Sequence, residues 1–326
     1  MSRSLGLALG YLLDLAVGDP RRWHPVAGFG SAAAALERRT YAARRASGAT
    51  HVAALVGATA LLGVVAERSS RRFGPAHTLA TAAATWAVLG GHSLTREAHT
   101  IDEQLRQGDL AAARVQVRNL VGRATAELDA DEVARACIES LAENTSDAVV
   151  APLLWGGLLG VPGLLGYRAV NTLDAMVGHR NERYAEFGWA AARLDDLVNW
   201  VPARVAGAIA LAAAPSSDRA AAGWEAIRRD APAHPSPNGG VVEAAFAGVL
   251  GVRLGGSNTY DGRVEDRGTL GTGPAAGRAH IAPAARLARK VAAGSLAVGL
   301  AIALSRTRAQ LGSATQMGSR AVSPSG

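Results

Sequence analysis

Carboxylates recur at helical spacing in one part of this chain. Glu139, Glu143 and Asp147 stand four residues apart, so on a helix they stack on one face. An uncharged run begins immediately after them, at Ala148. Like charges at this spacing repel unless a cation, an arginine or water lies between them, and hard oxygen donors suit Mg²⁺ holding a phosphate. The plainer reading is a solvated stripe in which Arg135 pairs with Glu139. Beyond the run, Asn171 and Asp174 of NTLD fall on adjacent turns, and Asp195, Asp196 and Asn199 repeat the combination of amide and carboxylate. Arg204 lies within an apolar stretch, where a charge is costly and functional by default. Its structural alternative is an ion pair with one of the aspartates.

Other motifs carry less. Asp19 and His24 sit in GDPRRWHP, a proline-punctuated loop after a short apolar stretch. The remaining histidines show no zinc-ligand spacing, the Gly-rich GTLGTGPAAG lacks the Lys-Ser/Thr ending of a phosphate-binding loop, and no G-x-S-x-G elbow occurs. The single cysteine, Cys137, rules out an internal disulfide and is expected to be packing. Residues 4–18 are interrupted by Asp14 and precede no small-residue cleavage site, so no removable signal peptide is expected.

The elements that position these groups are expected to lie in a membrane. Of 326 residues, 49% are hydrophobic and only 19% charged, too apolar for an average soluble domain. A helical crossing takes about 20 mainly apolar residues. Runs 46–66, 73–95 and 148–167 contain no Asp, Glu, Lys or Arg. Run 197–217 is broken only by Arg204, and 291–305 is a shorter candidate. Behind the net charge of +7 the arginines include pairs such as Arg38/Arg39 and Arg71/Arg72 beside apolar runs, which fits a lipid bilayer as partner and no nucleic acid.

The fold class expected is all-α, a polytopic helical membrane protein with about 4–5 membrane segments. One domain covers 1–305, with a polar helical insertion at 96–147 and a polar, loop-rich insertion at 218–290 holding a short helix around 241–250. Residues 306–326 are expected to be a disordered tail. Pro152 and GVPG at 160–163 should break run 148–167. A re-entrant hairpin there would leave the polar flanks on one side. SPNGG at 236–240 shares that side only if 197–217 does not fully cross.

Taken in order, GDPRRWHPV, VGRATAELD, ESLAENTSDAVVAPLLW, YRAVNTLDAMVGHRNERYAEFGWAAARLDDLVNWVPAR, SPNGG and GVRLGG with the following Tyr260 resemble the adenosylcobinamide-phosphate synthase family, also called the CobD/CbiB family. The likeness runs from about Asp14 to Tyr260, and the block from Glu139 to Arg204 is its specific part. Where that family typically reads ENTVDG, this chain has Ser146 and Ala148, and it has Ala175 and His179 where NTLDSMVGY is usual.

The resemblance implies an amide-forming ligase of the cell (cytoplasmic) membrane. It would join aminopropanol, free or phosphorylated, to the corrinoid adenosylcobyric acid at the expense of ATP. On that reading Glu139, Glu143, Asp147 and Asp174 hold Mg²⁺, while Arg123 and Arg204 balance phosphate charge. Asn144, Asn171 and Asn199 hydrogen-bond corrin amides or nucleotide, with Thr145, Thr172, Asn238, Asp19 and His24 as further contacts. Asp195 or Asp196 takes a proton from the attacking amine, and the site faces the cytoplasm. Two other classes, a CDP-alcohol-type membrane phosphotransferase and a small membrane transporter, fit the sequence less well. The CDP-alcohol phosphotransferase spacing is absent, and a small transporter would show inverted repeats, of which there is no sign.

Overall fold

A computed structural model describes residues 1–18, 24–179, 181–260 and 263–320. The chain opens with α1 (Ser2–Val17), α2 (Pro25–Thr40), α3 (Arg45–Ser70) and α4 (Gly74–Val88). Helix α1 lies along α4, where Gly6 and Gly10 leave room for Thr81 and Thr85. The opposite face of α1 exposes Leu5, Leu12 and Leu15. Helix α3 is long and apolar enough to cross a membrane, and only 17% of its apolar window is buried within the protein. An apolar helix exposed over most of its girth calls for surroundings that solvate apolar groups.

Run 73–95 is not one continuous span. It breaks between α4 and α5 (Gly91–Arg106) at Leu89 and Gly90. The Gly90 N–H leaves the helix to donate to Ala148 O at 3.2 Å, and the His92 N–H donates to Asp14 Oδ2 at 3.2 Å. Two adjacent glycines, poor helix formers, make that exit cheap.

The acidic insertion is helical, as expected: α5, α6 (Leu110–Val117) and α7 (Ala130–Thr145). A reciprocal cap between Asp129 and Glu132 starts α7, and its inner face, Cys137 included, belongs to the main core. Helix α7 passes through a π turn, Ser146–Val150, into α8 (Ala151–Leu159).

The expected break then falls at Gly160, whose φ of 76° starts α9 (Val161–Val177). A side chain there would collide with the Glu67 carboxylate. That carboxylate caps the new helix by accepting from the Val161 N–H at 2.7 Å and is paired with Arg3 at 2.6 Å. Arg3 also reaches Gly157 O and Leu158 O, the open end of α8, at 3.4 Å. A single ion pair thus satisfies both ends of the interruption.

Helix α10 (Trp189–Ala212) carries Pro202 and most of run 197–217. The insertion at 218–290 is more ordered than its turn-rich composition suggests. Ser216 caps α11 (Ser217–Arg229), and α12 (Gly239–Leu250) is buried on nearly every side, as its apolar sequence requires. The Gly-rich portion forms an antiparallel hairpin, β1 (Leu254–Tyr260) and β2 (Arg263–Leu270), with a register irregularity between Gly255 and Ser257. The architecture is therefore mostly helical with one added hairpin. Helix α13 (Ile281–Arg320) continues past residue 306. Among the described residues two helical segments are long and apolar enough to cross a membrane, Arg45–Ser70 and Arg278–Arg306. Run 148–167 is instead divided into two short helices.

Candidate functional site

The face of α7 that carries the carboxylate stripe looks into a cavity of about 1310 Å³. Glu139, Glu143 and Asp147 all reach its wall, together with Ser140 and Ser146. The π turn at 146–150 inserts extra backbone where the stripe ends, a local widening that recurs at functional sites. The C-terminal part of α9 contributes Asp174 and Gly178, the first half of α10 contributes Asp195, Asp196 and Asn199, and the loop before α12 contributes Ser236 and Asn238. Strand β2 closes one side with Glu265, Asp266 and Arg267.

One end of the cavity is crowded with negative charge. Burial raises the Asp147 carboxyl well above the ordinary range, and Asp195, Glu143 and Asp174 add to the effect. Burial, then Asp196 and Glu143, push Asp174 up to about 6. Asp195 is pushed up to about 7 by burial and Asp174, against hydrogen bonds that favour its ionised form. Those bonds come from Asn199 Nδ2 to Asp195 Oδ2 at 2.9 Å and Asn171 Nδ2 to Asp195 Oδ1 at 3.4 Å. The Tyr167 hydroxyl holds Asn199 in place, 2.8 Å from its Oδ1, and lies 3.0 Å from Asp147 O. Such a crowd resists ionising together near neutral pH, and a cation brought among the carboxylates favours their ionised forms.

The other end mixes signs. Arg123 and Glu139 form a buried pair at 2.8 Å, and Glu139 also accepts from the Gly255 N–H at 2.8 Å. Glu139 is thus committed to an arginine and to the hairpin, and Arg135 donates to Gly255 O instead of pairing with it. Glu243, 2% exposed, lies 3.5 Å from His234 Nε2 and 3.6 Å from Arg267 Nη2. Burial pushes the Glu243 carboxyl well up, helped by Glu139 and Glu143. His234 is lowered to about 4 by burial and by Arg267, so it is neutral and accepts the Arg267 Nε–H at 3.0 Å. Neither His234, Glu243 nor Arg267 stood out in the sequence reading. Glu243 had a signal, being the one ionisable residue in the apolar helix GGVVEAAFAGVL; His234 and Arg267 had none.

Several expected contacts lie elsewhere. Arg204 does not reach the cavity wall; it stacks on Trp200 at 4.6 Å and donates to Asn238 Oδ1 at 2.7 Å. Asn238 Nδ2 in turn donates to Asp196 O at 2.8 Å. Arg204 therefore latches SPNGG onto α10 beside the aspartates, with an amide partner in place of an aspartate. Asn171 is not among the cavity-lining residues and contacts Asp195 from behind the wall. Asn144 turns back to Ser140 O and Oγ at 3.1 and 2.8 Å. The hydroxyls of Thr145 and Thr172 are spent on Leu141 O at 2.6 Å and Arg168 O at 2.7 Å. Thr145 faces a separate cavity of about 140 Å³ beside Tyr11 and Asp14. His24 caps α2, its Nδ1 accepting from the Val26 N–H at 3.1 Å, and Asp19 lies outside the described residues.

Mg²⁺ would have to be held by the carboxylates of this cavity. Among the described residues no three His, Cys, Asp or Glu side chains converge as an all-protein metal site. Mg²⁺ keeps several waters and is commonly held by one or two carboxylates plus substrate phosphates. Asp174 and Asp196, whose charges act on one another across α9 and α10, fit that looser requirement.

Comparison with known proteins identifies the family of the chain. Residues 7–288 match the family described as CobD/Cbib protein. A Mycobacterium tuberculosis protein named cobalamin biosynthesis protein CobD is 51% identical over 297 residues, 90% of this chain and 94% of the relative. Proteins of the same name from Geobacter metallireducens and Chromobacterium violaceum are 45% and 42% identical, covering 80% and 89% of this chain and 84% and 93% of their own. No solved structure matches the chain.

Proposed function

This chain belongs to the CobD/Cbib family, and we propose that it is a membrane ligase of cobalamin biosynthesis. It joins (R)-1-aminopropan-2-ol or its O-phosphate to adenosylcobyric acid through an amide bond at the expense of ATP. The product is adenosylcobinamide or its phosphate. The observation that carries this reading is the cavity itself. A crowd of buried carboxylates at one end, with Asp195 near neutrality, faces Arg123 and Arg267 at the other.

Amide formation needs a cationic amine held in place, a base to free its electron pair, and a carboxylate oxygen made able to leave. The acidic end supplies the first two. Glu143 and Asp147 attract the ammonium, and Asp195, at about 7, takes its proton at physiological pH. Nitrogen then bonds to the acyl carbon as that carbon's bond to the leaving oxygen breaks, and the oxygen departs on phosphate. Bound Mg²⁺-nucleotide would supply the phosphoryl group that makes this oxygen leave, with Asp174 and Asp196 holding the ion. Arg123 and Arg267 face the phosphates at the opposite end. The volume of about 1310 Å³ exceeds the roughly 300–1,000 Å³ of pockets for drug-sized ligands, as a corrinoid beside a nucleotide demands.

The outer surface supports a membrane location. Leucines exposed on α1, the largely unburied α3 and the apolar part of α13 support a multi-pass protein of the cytoplasmic membrane, with the cavity on the side where ATP is. The Arg204–Asn238 latch supports placing SPNGG on the same side as the aspartates. Membranes carrying the protein should convert adenosylcobyric acid, ATP, Mg²⁺ and the amino alcohol or its phosphate into an amidated corrinoid. Asp147→Asn and Asp174→Asn should each abolish that conversion. Activity and Mg²⁺ dependence that survive both substitutions would overturn the carboxylate site.

A further inference from the structure

One hydroxyl in the cavity wall lacks a partner. Ser146 is 2% exposed, it lines the cavity, and its Oγ has no hydrogen-bond partner within the protein. The neighbouring hydroxyls differ. Thr145 and Thr172 each donate to the carbonyl four residues back, and Ser140 donates to Leu120 O, the usual ways for a helical hydroxyl to be satisfied. Ser146 opens the π turn, where the local change of pitch sends its side chain to the cavity wall. A buried hydroxyl left without a partner is disfavoured unless a bound group completes it.

Its surroundings identify the chemistry of that group. Ser146 lies between Glu143 and Asp147 in sequence, and all three reach the same wall. Gly239 lines the same cavity, packed close to Glu143. A Cβ there would stand 3.2 Å from Glu143 Oε1, 3.4 Å from Ser236 Oγ and 3.5 Å from Glu243 Oε1. The three atoms nearest that point are oxygens, two of them from carboxylates, so a cation is attracted to the Glu143 side of the wall. A bare metal ion needs octahedral oxygens at about 2.0–2.1 Å, and among the described residues no three carboxylates converge in that way. A primary ammonium has three N–H donors that reach oxygens at about 2.8 Å or slightly more, a looser requirement that two carboxylates and a hydroxyl meet.

We propose that Ser146 determines the affinity for the amine substrate: its Oγ, with the carboxylates of Glu143 and Asp147, seats the primary ammonium of the amino alcohol. This rests on the amide-forming reading given above. Valine, typical of the resembling pattern at this position, offers no such bond, so the hydroxyl adds affinity without being required for the reaction.

The test uses the full-length protein in membranes, with aminopropanol and its phosphate, ATP and adenosylcobyric acid each varied in turn. Ser146→Ala and Ser146→Val should raise KM for the amine about five- to tenfold, the value of one hydrogen bond. Ser146→Thr, which keeps the hydroxyl, should restore wild-type KM. KM for ATP and for the corrinoid should stay within twofold. Thermal melting in detergent should show Ser146→Ala at least as stable as wild type, because it removes a buried hydroxyl with no internal partner. An amine KM within twofold of wild type in both Ala and Val variants overturns the proposal, as does a rise confined to ATP or shared by all three substrates. Wild-type membranes that make no amidated corrinoid overturn the functional reading instead, so the two failures are distinguishable.

Discussion

Removing the Asn199 amide should move the pH dependence of the reaction, and the direction is set by the structure. Asn199 Nδ2 donates to Asp195 Oδ2 at 2.9 Å, a bond that stabilises the ionised carboxylate and opposes the upward push of burial and of Asp174. Such a bond to a charged acceptor is worth about 1.5–3 kcal/mol, and 1.36 kcal/mol corresponds to one pH unit. In Asn199→Ala the proton affinity of Asp195 should therefore rise by about one to two units, with the weaker Asn171 contact left in place. If Asp195 is the base, it works only when ionised, so kcat/KM for the amine climbs through the acid limb and levels off above it. That limb, near 7 in the wild type because Asp195 stands at about 7, should shift to higher pH by about the same one to two units. The plateau should change far less. The assay is the rate of corrinoid amidation across pH, with the same amine for both proteins so that its own titration cancels. A limb that stays in place, or moves to lower pH, refutes Asp195 as the proton acceptor.

Three further outcomes follow from other contacts. Glu67→Ala removes the cap of Val161 and leaves Arg3 buried without its carboxylate. It should lower stability by about 3–5 kcal/mol, seen as a large fall in Tm in detergent, and an unchanged Tm contradicts the account of the helix break. Arg204→Met cuts the latch to Asn238 and should lower kcat/KM about tenfold or more with little change in Tm; wild-type kinetics would show that SPNGG needs no latch. Asp174 and Asp195 stand at about 6 and about 7 in the folded state, both above the usual 3.8. Between 3.8 and those values the folded protein holds protons that the unfolded chain has lost, so stability declines as pH rises through that window. Without divalent cation, Tm should fall on going from about pH 5 to about pH 8, and Mg²⁺ with nucleotide should flatten the decline. A Tm that rises with pH under cation-free conditions contradicts the crowded-carboxylate picture.

Helical phase explains what the sequence revealed about the site and what it hid. The spacing of Glu139, Glu143 and Asp147 could mean little except a shared face, and all three reach the cavity. The same phase turns Asn144 and Thr145 elsewhere, since one and two residues beyond Glu143 rotate a side chain by about 100° and 200°. Polar identity had suggested contacts that geometry does not provide. The break at Gly160 was legible from GVPG, whereas the break at Leu89 and Gly90 was not, because it depends on Ala148 O and Asp14, distant in sequence. For the same reason an uncharged run of membrane length, 73–95, folds as parts of two helices. The hairpin was obscured by its glycines, which read as loop but supply the positive φ at Gly255, Gly256 and Gly268 that its irregular ladder uses. His234 and Arg267 meet only when the hairpin folds back over the loop before α12, a tertiary event with no local pattern.

The measurement that bears most directly on the central claim follows nitrogen. Membranes carrying the full-length protein would be given adenosylcobyric acid, ATP, Mg²⁺ and ¹⁵N-labelled aminopropanol or its phosphate, and the corrinoid analysed by mass spectrometry. A corrinoid heavier by the dehydrated amine, bearing the label in a new amide, is expected, formed only with ATP and absent with Asp195→Asn. An unlabelled corrinoid of unchanged mass, with either amine and in the presence of ATP, would contradict that claim.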